Sequence, residues 1–154
     1  MPSTFSPNLR IELIGVGEQA NTWGITTNNN LGTLIEQAIC GLTNIDVTSG
    51  DVTLTALSGV TDESRNMILN VTGLPLAPRT IYAPAVSKLY VVVNGSNEDL
   101  TIDVVGGSAG YTVAAGFTAI VYTDGSDFYS AAGDNLPLSG GTLTGALNGT
   151  TASF

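Results

Sequence analysis

Few residues in this chain have types and spacing that could do chemistry, and each group of them meets an obstacle. Gly15-Val16-Gly17-Glu18-Gln19-Ala20 fits the glycine spacing of a dinucleotide-binding turn and follows a strand-like run. Such a turn holds a pyrophosphate only when a helix begins at its second glycine and aims free N–H groups at the phosphates. Here Asn21-Thr22-Trp23-Gly24 follows, which is poor helix, and no strand–helix alternation comes after it. Glu36, at about the right distance for a ribose contact, falls inside a helical pattern rather than at a strand end. The segment reads as a turn closing a strand, and no cofactor is expected.

The carboxylates Asp62-Glu63, Glu98-Asp99-Asp103 and Asp124-Asp127-Asp134 could be drawn as paired acids for glycoside hydrolysis or as calcium ligands. None has the spacing of a calcium loop, and acids among Gly, Asn and Ser read as solvated turn residues. Cys40, the single cysteine, follows Ile39 at a helix end and reads as a small buried hydrophobe, with no basic cluster to make it a thiolate. The absence of histidine excludes His-based triads, His–Cys zinc sites and His general bases. Trp23, Tyr82, Tyr90, Tyr111, Tyr122 and Tyr129 could stack on sugars, though tyrosines inside strands read first as packing. No catalytic residue, no metal ligand and no enzymatic activity is expected.

Composition narrows the classes further. The 154 residues carry 4 Lys+Arg against 13 Asp+Glu, a net charge of −9, which disfavours a nucleic-acid partner because phosphate contacts need cations. With 43% apolar and 11% charged residues the chain is too apolar for disorder. No apolar run approaches the ~20 residues of a bilayer crossing, and Met1-Pro2-Ser3-Thr4 does not open a signal peptide. Membrane insertion is therefore not expected, and the sequons at Asn70 and Asn148 carry no weight without a secretory signal.

The elements that would position any site are short. Residues 1–30 read as an extended N-terminal arm, in which Leu9-Arg10-Ile11-Glu12-Leu13-Ile14 alternates apolar and charged residues as a strand with one wet face. Leu31, Leu34, Ile35, Ala38 and Ile39 mark the single apolar stripe of one short α-helix, with Asn28 to Asn30 as N-cap candidates and Gly41 at its close. After Gly41 the period becomes two. Strand-like runs at Asn44–Val47, Val52–Leu57, Asn66–Thr72, Lys88–Val93, Leu100–Val105, Tyr111–Val113, Phe117–Thr123 and Phe128–Ser130 alternate with Gly/Asn/Ser turns. Asn94-Gly95 and Asp124-Gly125 are the strongest hairpin signals, and the prolines of Leu74–Pro78 and Ala83-Pro84 mark crossovers or edges. The expectation is a mainly β chain: an antiparallel β-sandwich-like domain over residues 31–134 with one short α-helix. Residues 135–154 are Gly/Thr/Leu-rich, and a lone chain would expose Leu136, Leu138, Leu143 and Leu147.

Two segments resemble bacteriophage tail-fibre proteins. Leu136-Pro137-Leu138-Ser139-Gly140-Gly141-Thr142-Leu143-Thr144-Gly145 is similar to a repeat of such fibres, with Leu143 at the usual Met position. Phe5-Ser6-Pro7-Asn8-Leu9-Arg10-Ile11-Glu12-Leu13-Ile14, Gly17-Glu18-Gln19-Ala20, Thr22-Trp23-Gly24 and Leu31-Gly32-Thr33-Leu34-Ile35-Glu36 resemble their N-terminal region, as do Asp62-Glu63-Ser64-Arg65-Asn66 and Val86-Ser87-Lys88-Leu89-Tyr90. The resemblance implies a virion structural protein, assembled in the bacterial cytoplasm and carried on the viral tail. Its N-terminal part would attach to a tail adaptor, baseplate or nozzle protein, a homotrimeric stalk would begin at 135–154, and the distal fibre would meet the host-surface receptor. Phe5, Leu9, Ile11, Leu13 and Trp23 would supply apolar docking contacts, with Arg10, Glu12 and Glu18 at the rim. Leu136, Leu138, Leu143 and Leu147 would be buried between three copies. The competing expectation is a glycan-binding recognition module that uses exposed tyrosines and acidic loops.

Overall fold

The computed structural model describes residues 2–132. Strands β1 (Thr4–Phe5) and β2 (Glu12–Leu13) pair antiparallel at the N-terminus. A helical run follows, made of α1 (Trp23–Asn29), a π-helical turn (Asn30–Ile35) and α2 (Glu36–Cys40). The boundary expected at residue 30 falls inside this run.

The chain then builds two facing sheets by stepping from one to the other. β3 (Leu42–Asp46), β5 (Ile68–Thr72) and β7 (Ser87–Asn94) lie in a five-stranded sheet. β4 (Val52–Thr53), β6 (Arg79–Ala83) and β8 (Leu100–Val104) lie in a four-stranded one. Each return to a sheet therefore enters in the same direction, and β3–β5, β5–β7, β4–β6 and β6–β8 all pair parallel. The fold is mainly β with a short helix, as expected, but the antiparallel sandwich is corrected to a mixed one. The physical reason lies in the connections, because a strand leaving one sheet for the other cannot form a hairpin with its predecessor. Pro75, Pro78 and Pro84 sit in these crossings. Only the last three strands reverse: β9 (Tyr111–Val113) on β8, β10 (Thr118–Asp124) on β7, and β11 (Phe128–Ser130) on β10.

Alternation within each strand fills the space between the sheets. Leu69 stands beside Val92, Ile45 beside Val71 and Ile81 beside Ile102, and all six are buried. Tyr90 packs its ring 6.1 Å from that of Phe128 and donates its hydroxyl to the Ser64 carbonyl at 2.9 Å. Asp124-Gly125 lies in a hairpin as expected, but through a four-residue loop between Thr123 and Phe128 in which only Gly125 takes a positive φ, 101°. Asn94-Gly95 does not. Asn94 ends β7 fully buried and turns the chain toward the other sheet: its amide donates to the Glu98 and Val113 carbonyls and its Oδ1 accepts from Ser96 N–H and Oγ–H.

The helix also departs from expectation. Leu34 and Ala38 are buried and Ile35 is half-buried, but Leu31 and Ile39 are exposed. The π turn adds residues per turn and spreads a stripe counted at 3.6, so its flanks swing outward. Cys40, expected to be buried, lies on that outer flank and is exposed. Gly41 ends the helix in extended backbone, φ −68° and ψ 140°, where a Cβ would collide with the Gln37 carbonyl and Asn66 Oδ1.

Candidate functional site

Three of the chain's four cations gather around one carboxylate. Asp62 begins a 3₁₀ turn (Glu63–Arg65) and accepts the Arg65 N–H at 2.7 Å as its N-cap. It also accepts from Leu57 N–H and Ser64 Oγ–H, both at 2.8 Å, and from the Arg10 guanidinium at 2.8 and 3.1 Å. The Arg65 guanidinium, side chain 1% exposed, stands 3.5 Å away and donates to the carbonyls of Leu9, Leu57 and Val60. The Lys88 ammonium is 4.9 Å from the centre of the Tyr90 ring, on the same side of β7 as that buried tyrosine. The expectation that Asp62-Glu63 is a solvated turn pair is corrected for Asp62, whose side chain is fully buried.

These neighbours set the charges. Burial pushes the Asp62 carboxyl upward, but the Leu57 N–H, Arg10 and Ser64 outweigh it and hold the group below the usual carboxylate range. Burial, then Arg10 and Arg65, push the Lys88 ammonium down to about 8. Burial chiefly raises the Tyr90 phenol.

The arrangement is a latch. Arg10 sits at φ 52°, uncommon for a non-glycine residue, and its Nε also donates to the Leu57 carbonyl at 3.1 Å. Asn30 adds a second fastening: its amide accepts from Glu12 N–H at 3.2 Å and donates to Glu12 C=O at 2.7 Å, which joins β2 to the helix. Phe5 covers Gly59, and Asn29 donates to the Gly59 carbonyl at 3.0 Å. The arm is thus bound to the sandwich and not left free.

The residues expected to dock now separate into two sets. Arg10 is turned inward, its side chain only 12% exposed, so it cannot serve at an outer rim as expected. Ile11, Glu12 and Glu18 are half-buried; Glu12 accepts from Gln19 at 2.7 Å and Glu18 from Ser3 at 3.1 Å. Phe5, Leu9, Leu13 and Trp23 are exposed, Trp23 by 61%. Leu136, Leu138, Leu143 and Leu147 lie outside the described residues. Gly17 takes φ 83° in a turn, and the helix starts only at Trp23, with no side-chain cap from Thr22.

The acidic loops bind their own backbone. Asp124 accepts from Ser126 and Asp127 N–H, and Asp127 from Ser108 and Ala109 N–H, which lowers both carboxyls. Among the described residues no group of three or more His, Cys, Asp or Glu could hold a metal ion. Tyr122 and Tyr129 stack at 5.3 Å on the outer sheet face, beside Asp124. The latch went unseen in the sequence because its parts are 52 residues apart; the one local signal was Asp62-Glu63-Ser64-Arg65, an acid placed to cap a turn that ends in a cation. Compared with known proteins, the chain matches no family model, no curated protein and no solved structure.

Proposed function

We propose that this chain is a virion structural protein, the tail-proximal part of a bacteriophage tail fibre that fastens the fibre to the tail for host adsorption. The role is mechanical, with a homotrimeric assembly, a tail adaptor, baseplate or nozzle protein as partner, and receptor contact made by the distal fibre. One observation carries the reading. The arm is locked to the sandwich by Arg10, Asp62 and Arg65, yet it leaves Phe5, Leu9, Leu13 and Trp23 exposed. A clamped arm with unpaired apolar side chains presents a fixed surface, and a fixed surface loses less entropy on docking than a loose one. The test is binding of the purified chain to isolated fibreless tails. Saturable binding that Trp23→Ala weakens supports docking, and no binding at all overturns it.

A second reading is favoured by the Tyr122–Tyr129 pair beside Asp124, an aromatic and carboxylate combination that suits a sugar. It predicts millimolar or better affinity for surface glycans, lost in Tyr129→Ala.

A further inference from the structure

We infer that the hollow between α2 and the 3₁₀ turn binds a small polyhydroxy ligand, one sugar ring in size. Its volume is about 300 Å³, and it is lined by Gln37 of α2, Thr43 of β3, Thr55 beyond β4, and Thr61, Glu63 and Asn66 around the turn. Small-molecule sites begin near ~300 Å³, which admits one ring and not a chain of them. Gln37 is held in one orientation, because its Nε2 donates to the Asp62 carbonyl at 3.0 Å. Its Oε1, at the other end of the amide, is buried and receives no donor among the described residues. A buried acceptor left in that state costs free energy, and a ligand hydroxyl that donates to it removes the cost. Thr43 and Thr61 add hydroxyls that bond to no other described residue. The remaining walls are fixed: Asn66 donates to the Asp62 and Glu63 carbonyls at 3.0 and 3.1 Å, and Glu63 accepts the Thr55 N–H at 2.8 Å together with the Thr55 hydroxyl.

Charge and chemistry select the ligand class. Arg10 and Arg65 are taken up by Asp62 and by the carbonyls of Leu9, Leu57 and Val60, so no cation is left for a phosphate or a carboxylate. The Asp62 carboxylate faces these guanidiniums, and Glu63 already accepts two bonds on one oxygen, so a cation meets no free pair of carboxylates. No aliphatic or aromatic side chain lines the hollow, which leaves an apolar ligand nothing to bury against. The class that fits is a neutral molecule dense in groups that both donate and accept, and a hydroxyl does both. One hydroxyl donates to Gln37 Oε1 while its neighbours exchange bonds with Thr43 and Thr61. With no ring to stack on, the affinity comes from hydrogen bonds, and a millimolar Kd is the expected strength. The hollow shares no residue with the Tyr122–Tyr129 pair or with the exposed side chains of the arm, so it goes beyond both readings of function.

The experiment is an NMR titration of the full 154-residue chain with D-glucose, D-galactose and N-acetyl-D-glucosamine, and with methylammonium chloride as the cationic control. The signals followed are the Gln37 side-chain amide and the Thr43 and Thr61 backbone N–H groups. Saturable shifts of these signals with at least one sugar, in the millimolar range, are expected. Thr43→Val, which loses the hydroxyl and little else, and Gln37→Leu are each expected to weaken binding by about three- to tenfold, the worth of one hydrogen bond, with circular dichroism showing the fold intact. If Gln37→Leu does not fold, Thr61→Val at the exposed rim makes the same test. Tyr129→Ala is expected to leave the affinity unchanged. No saturable shift with any of the sugars overturns the inference and leaves the hollow to water. An equal response to methylammonium also overturns it, as do shifts lost in Tyr129→Ala but kept in Thr43→Val, which would move the sugar to the outer sheet face. Tail binding is measured apart from these titrations, so the docking role and this site can fail independently.

Discussion

Arg10 and Asp62, 52 residues apart, meet at 2.8 Å, and that contact fastens the N-terminal arm to the sandwich. The carboxylate is fully buried and the guanidinium nearly so, with Arg65 at 3.5 Å on the other side. Removing a buried partner leaves charge without compensation. Asp62→Ala is expected to cost about 3–5 kcal/mol in urea unfolding, because two guanidiniums lose their counter-ion and the 3₁₀ turn loses its cap. A loss under about 1 kcal/mol, the range of surface ion pairs, would show that the latch contributes little.

The same group sets the acid limb of stability. The folded-state pKa of Asp62 lies below its ordinary value of 3.8, so the stabilisation is complete above that value and is lost as pH falls from it through the folded pKa. Equilibrium unfolding between pH 5 and pH 2 is expected to show this decline (roughly the window of a paired Asp), with a smaller slope in Asp62→Asn.

Lys88 costs stability at neutral pH where Asp62 supplies it, although both make stability rise with pH in their own windows. Its folded pKa of about 8 lies under the ordinary 10.5, so between those values the unfolded chain binds more protons and stability rises with pH. Above the ordinary Tyr90 value of 10.0 the raised phenol pKa reverses the trend, since the unfolded chain ionises first. Lys88→Met is expected to gain on the order of 1 kcal/mol at neutral pH, discounted for partial exposure and for the lost contact with Tyr90, and to flatten the rise above pH 8. A parent chain with no rise between pH 8 and 10 would remove the basis for this assignment.

What could be read from residues in order, and what could not, divides along sequence separation. Period-two alternation in Asn66–Thr72 and Leu100–Val105, and the Asp124-Gly125 turn, depend on neighbours, and the strands Ile68–Thr72 and Leu100–Val104 and the hairpin appear there with ends shifted by one or two residues. Asn94-Gly95 failed as a hairpin because nothing local distinguishes a two-residue reversal from a step into the opposite sheet; burial of Asn94 against Val113 decides it. Parallel pairing of β3, β5 and β7 is likewise set by where successive crossings land. The latch joins Leu9, Arg10, Asp62, Arg65 and Ser64, which no window of residues contains. Trp23 and its exposed neighbours were legible as apolar positions, whereas the inward turn of Arg10 was not.

Asn94 tests the interior. Its buried side chain makes four hydrogen bonds to Glu98, Val113 and Ser96, so Asn94→Ala takes the amide donor from the Val113 carbonyl and the acceptor from Ser96 N–H, while Ser96 Oγ–H and the Glu98 carbonyl keep each other at 3.0 Å. The expected cost is about 2–4 kcal/mol, seen as a lower urea midpoint with an unchanged slope. A near-neutral result would mean that water replaces the amide.

Trp23→Ala separates folding from docking. The indole is 61% exposed at the first residue of α1, and none of the latch hydrogen bonds uses it. Its removal is expected to change stability by no more than about 0.5 kcal/mol, the range of surface substitutions. At a docking surface the same truncation removes a large apolar contact, and exposed tryptophans at the centre of an interface commonly cost about 2 kcal/mol or more of binding. Tail affinity should therefore fall by roughly thirty-fold while the melting curve barely moves. Equal losses in both would make Trp23 a structural residue whose exposure misleads. Unchanged tail affinity would shift the docking contacts to Phe5, Leu9 and Leu13, which the latch holds on the same arm.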